Sequence, residues 1–437
     1  STRRIAVPIN TCRRISANKN NSANRIKSFG GESIWSELQG IATKCNIVAN
    51  LGQGFPDWNP EEFTINALKE QLNAPNAHQY ARAHGDMQLV TSLSKLYSGD
   101  KFNGFDREID PINEVMVVNG ASDGLTVAMN ALINPGDQVI CIEPFFDCYD
   151  KIIESVEAEP IYVALKEPKN KDDRTAEQWT LDERDLRAAV TSKTKALILN
   201  TPHNPTGKIF SKTELEMIAK VAQEHDLLVI SDEVYENLVF HDHLKHFRIA
   251  NLPGMWDRTL TISSAGKTFS TTGWKMGWII GPKHLIDPTY HYNMYKIFSV
   301  TTPIQKAVGL CIDHAMNSNY FSLIQNRLKQ RKFLLQKMLK GAKLDYIDSN
   351  AGYFLLTDIS NVKFPHADED KHLPRDHAFC RWLPGATGLM AIPPSVFYSK
   401  DHKHYSDQYI RLAFCKKEET MVKAQEGFKK LSEFINK

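Results

Sequence analysis

Short, almost wholly apolar runs recur through the middle of the chain at Val115–Val118, Val139–Ile142, Ala196–Leu199, Leu227–Ile230, Leu260–Ile262 and Trp278–Ile280. Runs of about four residues, rich in β-branched side chains, are the pattern of strands buried on both faces. Longer amphipathic stretches separate them, Lys212–His225 for example. Strand–helix alternation predicts an α/β fold with a mostly parallel central sheet sandwiched by helices. The last third reads differently. Tyr320, Phe321, Leu323, Ile324, Leu328, Leu335, Met338 and Leu339 recur at helical spacing, as do Met421, Val422, Phe428, Leu431 and Ile435. Short alternating runs, Gly352–Asp358 and Tyr409–Phe414, lie between them. That mixture predicts a smaller α+β domain. The expected division is a basic tail over 1–30, an N-terminal arm joined to the small domain over 31–62, a large domain over 63–300 and a small C-terminal domain over 301–437. Apolar patterning starts near Ile34–Trp35, where the fold is expected to begin.

Length and composition narrow the classes. A chain of 437 residues holds two or three units at about 150 residues each. Hydrophobic residues at 42% and charged residues at 24% exclude disorder as the main state. No apolar run reaches 18 residues, so no helix is expected to cross a membrane. The net charge of +2 is too small for a general nucleic-acid binder. It hides an asymmetry, because residues 1–31 hold seven basic side chains (Arg3, Arg4, Arg13, Arg14, Lys19, Arg25, Lys27) and no acid. Such a start resembles an organellar transit peptide or its remnant, a flexible polar tail being the plain alternative. The expected compartment is the mitochondrion, with the cytoplasm as the other choice. Seven cysteines stand at 12, 45, 141, 148, 311, 380 and 415 with no C-x-x-C pair, which fits reduced thiols. His241, His243 and His246 cluster in sequence, but no thiolate or fixed carboxylate accompanies them; a solvated loop is the reading and no metal is expected.

In open parallel sheets, ligands bind beyond the carboxyl ends of the strands. After Val115–Val118 come Asn119, Gly120, Ala121, Ser122, Asp123 and Gly124, then a helical run. After Val139–Ile142 come Glu143, Pro144, Phe145 and Phe146; after Ala196–Leu199, Asn200 to Gly207 with Asn204-Pro205-Thr206-Gly207 at its end. After Leu227–Ile230 come Ser231, Asp232, Glu233, Val234 and Tyr235; after Leu260–Ile262, Ser263 to Ser270 with Lys267 at its centre. Five strand ends deliver a helix N-terminus, an aromatic, an amide, a carboxylate and an amine. Together they fit an aromatic pyridine that carries a phosphate and an aldehyde. The helix start at Gly120–Asp123, with Ser122 and Asp123, suits the phosphate; Ser264 adds a donor and Lys275 a charge. Phe146 can stack on the ring, Asp232 can pair with a protonated ring nitrogen, and Asn204 and Tyr235 can reach the ring oxygen. Lys267 is the amine that would condense with the aldehyde.

Asn204–Gly207, Ser231–Tyr235 and Ser263–Ser270 with Gly273-Trp274-Lys275 resemble the class I pyridoxal-phosphate aminotransferases of fold type I. Asn50–Asp57, Glu143–Tyr149 and Leu252–Trp256 look like the kynurenine aminotransferase / glutamine transaminase K / cysteine-conjugate β-lyase group, a similarity running from about Ser33 to the C-terminus. The resemblance implies transfer of an amino group from kynurenine, glutamine, or aromatic or sulfur amino acids to a 2-oxo acid, with kynurenic acid as the product from kynurenine. β-Elimination from cysteine conjugates is the alternative outcome of the same site. It implies pyridoxal 5'-phosphate bound through Lys267, which then serves as base and acid of a proton shift. It gives Arg411 the substrate α-carboxylate, with Gly54 and Asn204 beside it. Trp35, Phe298 and Phe354 would line the side-chain pocket. Tyr80 would reach the phosphate of a neighbouring subunit's cofactor, which implies a homodimer with shared active sites. Three positions depart from the pattern: Lys275 stands where most class I enzymes carry Arg, Ser122 where close relatives often place Tyr, and Ser299 where some have His.

Taken singly, these residues have plainer readings. Lys267 alone is a surface lysine, Asp232 a helix cap and Asn204–Gly207 a turn. Arg411 alone is a surface ion pair, and Trp35 and Phe298 are core. Only their joint arrival at one rim favours chemistry.

Overall fold

The structure, a computed structural model, describes residues 23–29, 33–168, 174–240 and 244–435. Its strands are β1 (Ala49–Asn50), β2 (Val115–Val118), β3 (Gln138–Glu143), β4 (Glu159–Ala164), β5 (Thr194–Asn200), β6 (Leu228–Asp232), β7 (Thr259–Ser264), β8 (Gly277–Ile280), β9 (Tyr346–Ile347), β10 (Phe354–Asp358), β11 (Leu389–Met390) and β12 (Tyr409–Ala413). Seven of them form one sheet in the order β2-β8-β7-β6-β5-β3-β4. Every pairing in it is parallel except those of β8, which runs against both β2 and β7.

The period-two alternation of the apolar runs sorts their side chains onto two faces. Val139, Cys141, Ala196, Ile198, Ile230 and Ile262 pack with Leu125 and Ala128 of the helix Ala121–Leu132. Ile140, Ile142, Leu197, Leu199 and Val229 face the other way, onto Leu215, Ile218 and Ala219 of the helix Lys212–Glu224. That second helix starts where expected because Ser211 and Glu214 form a capping box. Each fully buried aliphatic side chain contributes roughly 1.5–3 kcal/mol relative to exposure, so the two faces together fix the sheet.

Two features differ from expectation. β4 has no counterpart among the apolar runs. It is an edge strand paired only with β3, is only partly buried, and contains Pro160, which an edge tolerates because one side of its backbone needs no partner. The other difference lies at the carboxyl ends. β5, β6 and β7 run on past their last apolar residues, so that Asn200 pairs with Asp232 and Asp232 with Ile262 inside the ladder. Polar residues at these ends are therefore rigidly held by the sheet.

In the C-terminal third, β12, β10 and β9 form an antiparallel sheet in which Arg411 lies opposite Leu356. The helices Tyr320–Gly341, Arg375–Thr387 and Glu418–Leu431 accompany it. β1 pairs with β11, tying the N-terminal arm to this part of the chain. The helix Ile34–Ala42, capped by Ser33, is held on the helix Arg375–Thr387 by Glu37, which pairs with His377 at 3.0 Å and with Arg381. A short 3-10 helix, Asn24–Phe29, precedes it and packs near Tyr149–Ser155, so folded chain starts earlier than Ile34. Residues 1–22, on which most of the targeting expectation rests, lie outside the described residues, as do His241 and His243. Among the described residues no helix is long and apolar enough to cross a membrane, no three His, Cys, Asp or Glu side chains are grouped to hold a metal ion, and all six cysteines are free.

Candidate active site

Because β2, β3, β5, β6 and β7 run parallel, their carboxyl ends open on one side of the sheet. The residues that follow them line a single cleft that includes Ser122, Phe146, Asn204, Asp232, Tyr235, Ser264, Lys267 and Lys275.

One end of the cleft is built for an anion. Gly120, at φ +84, turns the chain from β2 into the helix Ala121–Leu132 and leaves that helix's first N–H groups free. A Cβ on Gly277 would stand 2.6 Å from the Gly120 carbonyl carbon, so the two backbones approach as only glycine permits. Lys275 sits in the left-handed region at φ +52, and its Nζ lies where a Cβ on Gly120 would be only 3.4 Å away. Lys275 makes no ion pair among the described residues. Ser122, Ser264 and Thr272 bring hydroxyl groups to the same cleft. Asp123 is not brought there: its carboxylate accepts from the Asn119 N–H at 2.9 Å and pairs with Lys296, away from the lining residues. A second carboxylate would repel the anion its helix attracts, and Asp123 instead fastens the turn.

Asp232 stands at the end of β6, 5% exposed. Its Oδ2 accepts a 2.6 Å hydrogen bond from the Tyr149 hydroxyl, and the Val234 N–H reaches Oδ1 at 3.4 Å. No cation lies within 4 Å of it among the described residues. Burial pushes its carboxyl up to about 6, partly offset by the Tyr149 bond. The turn that follows is two-sided. Asp232 and Tyr235 line the cleft, while Glu233 and Glu236 face the opposite way and both pair with the buried Arg248. Glu236 also accepts from Tyr97 and Ser263, which joins the turn to the end of β7.

Lys267 lies on the short helix Ala265–Thr268 that follows β7. Its Nζ donates to the Gly54 carbonyl at 3.0 Å and sits 5.5 and 5.4 Å from the rings of Tyr235 and Tyr353. Tyr353 in turn donates to the Lys267 carbonyl at 2.8 Å. Burial pulls the Lys267 amine down to about 8, so a substantial neutral fraction exists near neutral pH.

Arg411 is 2% exposed on β12. Nη1 donates to Asn204 Oδ1 at 3.0 Å and Nη2 to the Gly52 carbonyl at 3.2 Å, while its buried Nε has no partner. It makes no ion pair among the described residues, and burial pushes it down to about 10. Aromatic rings surround it: Phe354 at 4.0 Å, Phe397 at 4.7 Å and Trp35 at 5.8 Å. Gly54 touches the same group, since a Cβ there would fall 2.3 Å from Phe354 Cζ. A buried, unpaired guanidinium in an aromatic frame is a site prepared for a carboxylate.

Phe298 is not brought to this group. It closes the helix Lys283–Ile297 at φ +65, is 52% exposed, and packs edge-on at 5.1 Å against Tyr80, itself 83% exposed. The two rings stand together on the surface, away from the cleft of their own chain.

A family model of class I and II aminotransferases matches residues 46–427. The chain belongs to the class I and II aminotransferases. Kynurenine--oxoglutarate transaminase of Dictyostelium discoideum is 39% identical over 97% of this chain and 99% of its own length. Kynurenine--oxoglutarate transaminase 1 of Homo sapiens is 38% identical over 91% and 95%. Among solved structures, Bna3p of Saccharomyces cerevisiae, a candidate kynurenine aminotransferase, superposes with a TM-score of 0.90 at 33% identity over 95% of this chain and all of its own. A methionine aminotransferase of Escherichia coli gives 0.83 at 28% identity over 94% and 99%.

Within and around this aminotransferase cleft, five hydrogen bonds have no counterpart in the sequence reading. Tyr149 bonds Asp232, and Tyr353 bonds Lys267. Asn200 donates to the Asp232 carbonyl at 2.9 Å and accepts from the Asn204 N–H at 2.7 Å, which shapes the loop after β5. Trp35 donates from Nε1 to Asp147 at 2.6 Å. Tyr149 and Asp147 fall inside the Glu143–Tyr149 run, and a tyrosine or tryptophan in a buried apolar run signals a hydrogen-bond partner to be found.

Proposed function

We propose that this aminotransferase uses pyridoxal 5'-phosphate to move the amino group of kynurenine, and of glutamine, aromatic or sulfur amino acids, to a 2-oxo acid, giving kynurenic acid from kynurenine. The observation that carries the reading is a buried, unpaired Arg411 in the same site as the partly neutral amine of Lys267 and the uncompensated carboxylate of Asp232. The names of the Dictyostelium and human relatives support the choice of kynurenine.

The residues present fit the cofactor. Lys275, Ser122, Ser264 and the N-terminus of the helix Ala121–Leu132 would hold its phosphate, Phe146 its ring face, and Asp232 its ring nitrogen. Bound there, pyridoxal phosphate supplies an electrophilic aldehyde and a ring that draws electrons from the substrate α-carbon. Arg411 would fix the α-carboxylate. Asn204 is already turned towards Arg411 by its 3.0 Å bond. Lys267 Nζ would take up and return the α-proton, its lowered basicity matching that task. The exposed Tyr80 and Phe298 pair supports a homodimer in which each subunit completes its partner's site. The basic, acid-free start supports a mitochondrial location.

A panel of amino donors against two or three 2-oxo acids tests the reading. Kynurenine with an oxo acid should yield kynurenic acid and change the visible spectrum of the yellow protein. A colourless protein that stays so after incubation with pyridoxal phosphate would remove the reading. Pyruvate release from a cysteine S-conjugate without any acceptor would favour the lyase outcome.

Asp232→Asn gives a second test, because it separates stability from chemistry. In the free protein the folded-state carboxyl is raised from 3.8 to about 6, so its ionisation destabilises the fold fully above pH 6 and not at all below about pH 4. The variant is expected to gain about 2–3 kcal/mol of stability at pH 7.5 without cofactor, and that gain should fade as pH falls from 6 to 4. Its cofactor affinity is expected to drop about tenfold or more, since a neutral amide cannot pair with a protonated ring nitrogen. Thermal unfolding and cofactor titration across pH read both, and a variant with unchanged cofactor affinity would leave Asp232 as a capping residue only.

A further inference from the structure

Asp147 stands where β3 has ended and the cleft begins. Its neighbour Phe146 lines the cleft. Its Oδ2 accepts the 2.6 Å bond from the Trp35 indole across 112 residues of sequence. Trp35 belongs to the N-terminal helix and stands 5.8 Å from the Arg411 guanidinium, the one cation near its ring among the described residues. Asp147 and Arg411 form no ion pair among the described residues, and Asp147 is only partly buried; burial raises its carboxyl, and the Trp35 bond and the nearby Arg411 guanidinium draw it back towards the ionised form. The wall next to Arg411 thus combines apolar rings with one negative charge.

We propose that Asp147 is a specificity-determining residue, whose carboxylate beside the Trp35 wall favours substrate side chains that are neutral or carry an N–H donor and turns away those bearing a second carboxylate. The inference rests on the transaminase reading above and narrows its substrate class. Arg411 has one guanidinium, and the α-carboxylate takes it. A second carboxylate lying along the aromatic wall finds no further cation beside Trp35 and meets Asp147 in a partly desolvated space. Two like charges several ångströms apart, at an effective dielectric near 20, disfavour binding by roughly tenfold or more. The anilino N–H of kynurenine or the amide of glutamine meets an acceptor instead.

Two variants separate charge from shape. Asp147→Asn keeps an acceptor for Trp35 and removes the charge; Trp35→Phe keeps the charge and removes the hydrogen bond. The expected result for Asp147→Asn is that kcat/KM for 2-oxoglutarate relative to phenylpyruvate rises about tenfold. In Trp35→Phe the ratio should not rise. Calorimetric titration of the holoenzymes with glutarate and 3-phenylpropionate reads the same discrimination without turnover. An unchanged ratio in Asp147→Asn overturns the proposal, and an equal rise in both variants reduces Asp147 to an anchor for Trp35. If the wild-type holoenzyme transaminates no donor–acceptor pair, the transaminase reading fails, and the ratio of glutarate to phenylpropionate binding still decides the role of Asp147.

Discussion

Lys267→Ala is expected to lose transaminase turnover by roughly three to five orders of magnitude while still binding pyridoxal phosphate. Two properties of the side chain lead to this. Its Nζ is the amine that the Gly54 carbonyl holds at 3.0 Å at the centre of the cleft. Burial brings it down to about 8, so that near pH 8 roughly half is neutral, against under a hundredth for an ordinary lysine. Both attack on an aldehyde and removal of an α-proton need that neutral form. Lys275 cannot replace it, because its Nζ is committed to the anion end beside Gly120. Phosphate contacts from Lys275, Ser264 and the helix N-terminus are untouched, so cofactor should remain. The fold should not suffer. A lysine whose folded-state basicity is lowered destabilises the folded state below about pH 8, and that penalty fades as pH rises towards 10.5. Cofactor-free Lys267→Ala is therefore expected to melt no lower than wild type at pH 7. Steady-state rates, cofactor absorbance and thermal melts decide it, and turnover within tenfold of wild type would remove Lys267 from the chemistry.

The same physics explains what the sequence made visible. Strands buried on both faces are apolar along their central positions, so β2, β3, β5, β6, β7 and β8 announce themselves as short runs. β4 does not, since an edge strand meets solvent and tolerates Pro160 and Glu159. The ends of β5 and β6 were hidden for the opposite reason: Asn200 and Asp232 are polar but lie in the ladder, because the cleft needs polar groups held without play. Lys267, Asp232, Asn204, Tyr235 and Ser264 could be gathered on one rim from topology alone, as each follows a parallel strand. Tyr149, Tyr353 and Asp147 could not be paired in this way. Their partners lie 83, 86 and 112 residues distant, and no local spacing encodes such contacts. Asp123 marks the converse case: it adjoins Ser122 in sequence, yet the Asn119 N–H and Lys296 hold its carboxylate away from the cleft.

Arg411→Lys is expected to lower kcat/KM for kynurenine by about 30-fold, and Arg411→Ala by about 10³-fold, mainly through KM. A guanidinium at 2% exposure ordinarily pairs with a carboxylate, yet this one has only two neutral acceptors, Asn204 Oδ1 and the Gly52 carbonyl, with Nε left over. Burial lowers it to about 10, so the protein by itself leaves the desolvation of this cation uncompensated. A substrate α-carboxylate supplies the missing charge and, by forking, the missing acceptor. Lysine keeps the charge but cannot fork or lie flat against Phe354 at 4.0 Å. Alanine loses both and opens space between Phe354 and Phe397. The loss should depend on the α-carboxylate itself. Kynuramine, which is kynurenine without that group, should react slowly with wild type and no more slowly with Arg411→Ala. If the substitution slows kynurenine and kynuramine by the same factor, Arg411 supports the wall of the cleft and does not bind the carboxylate.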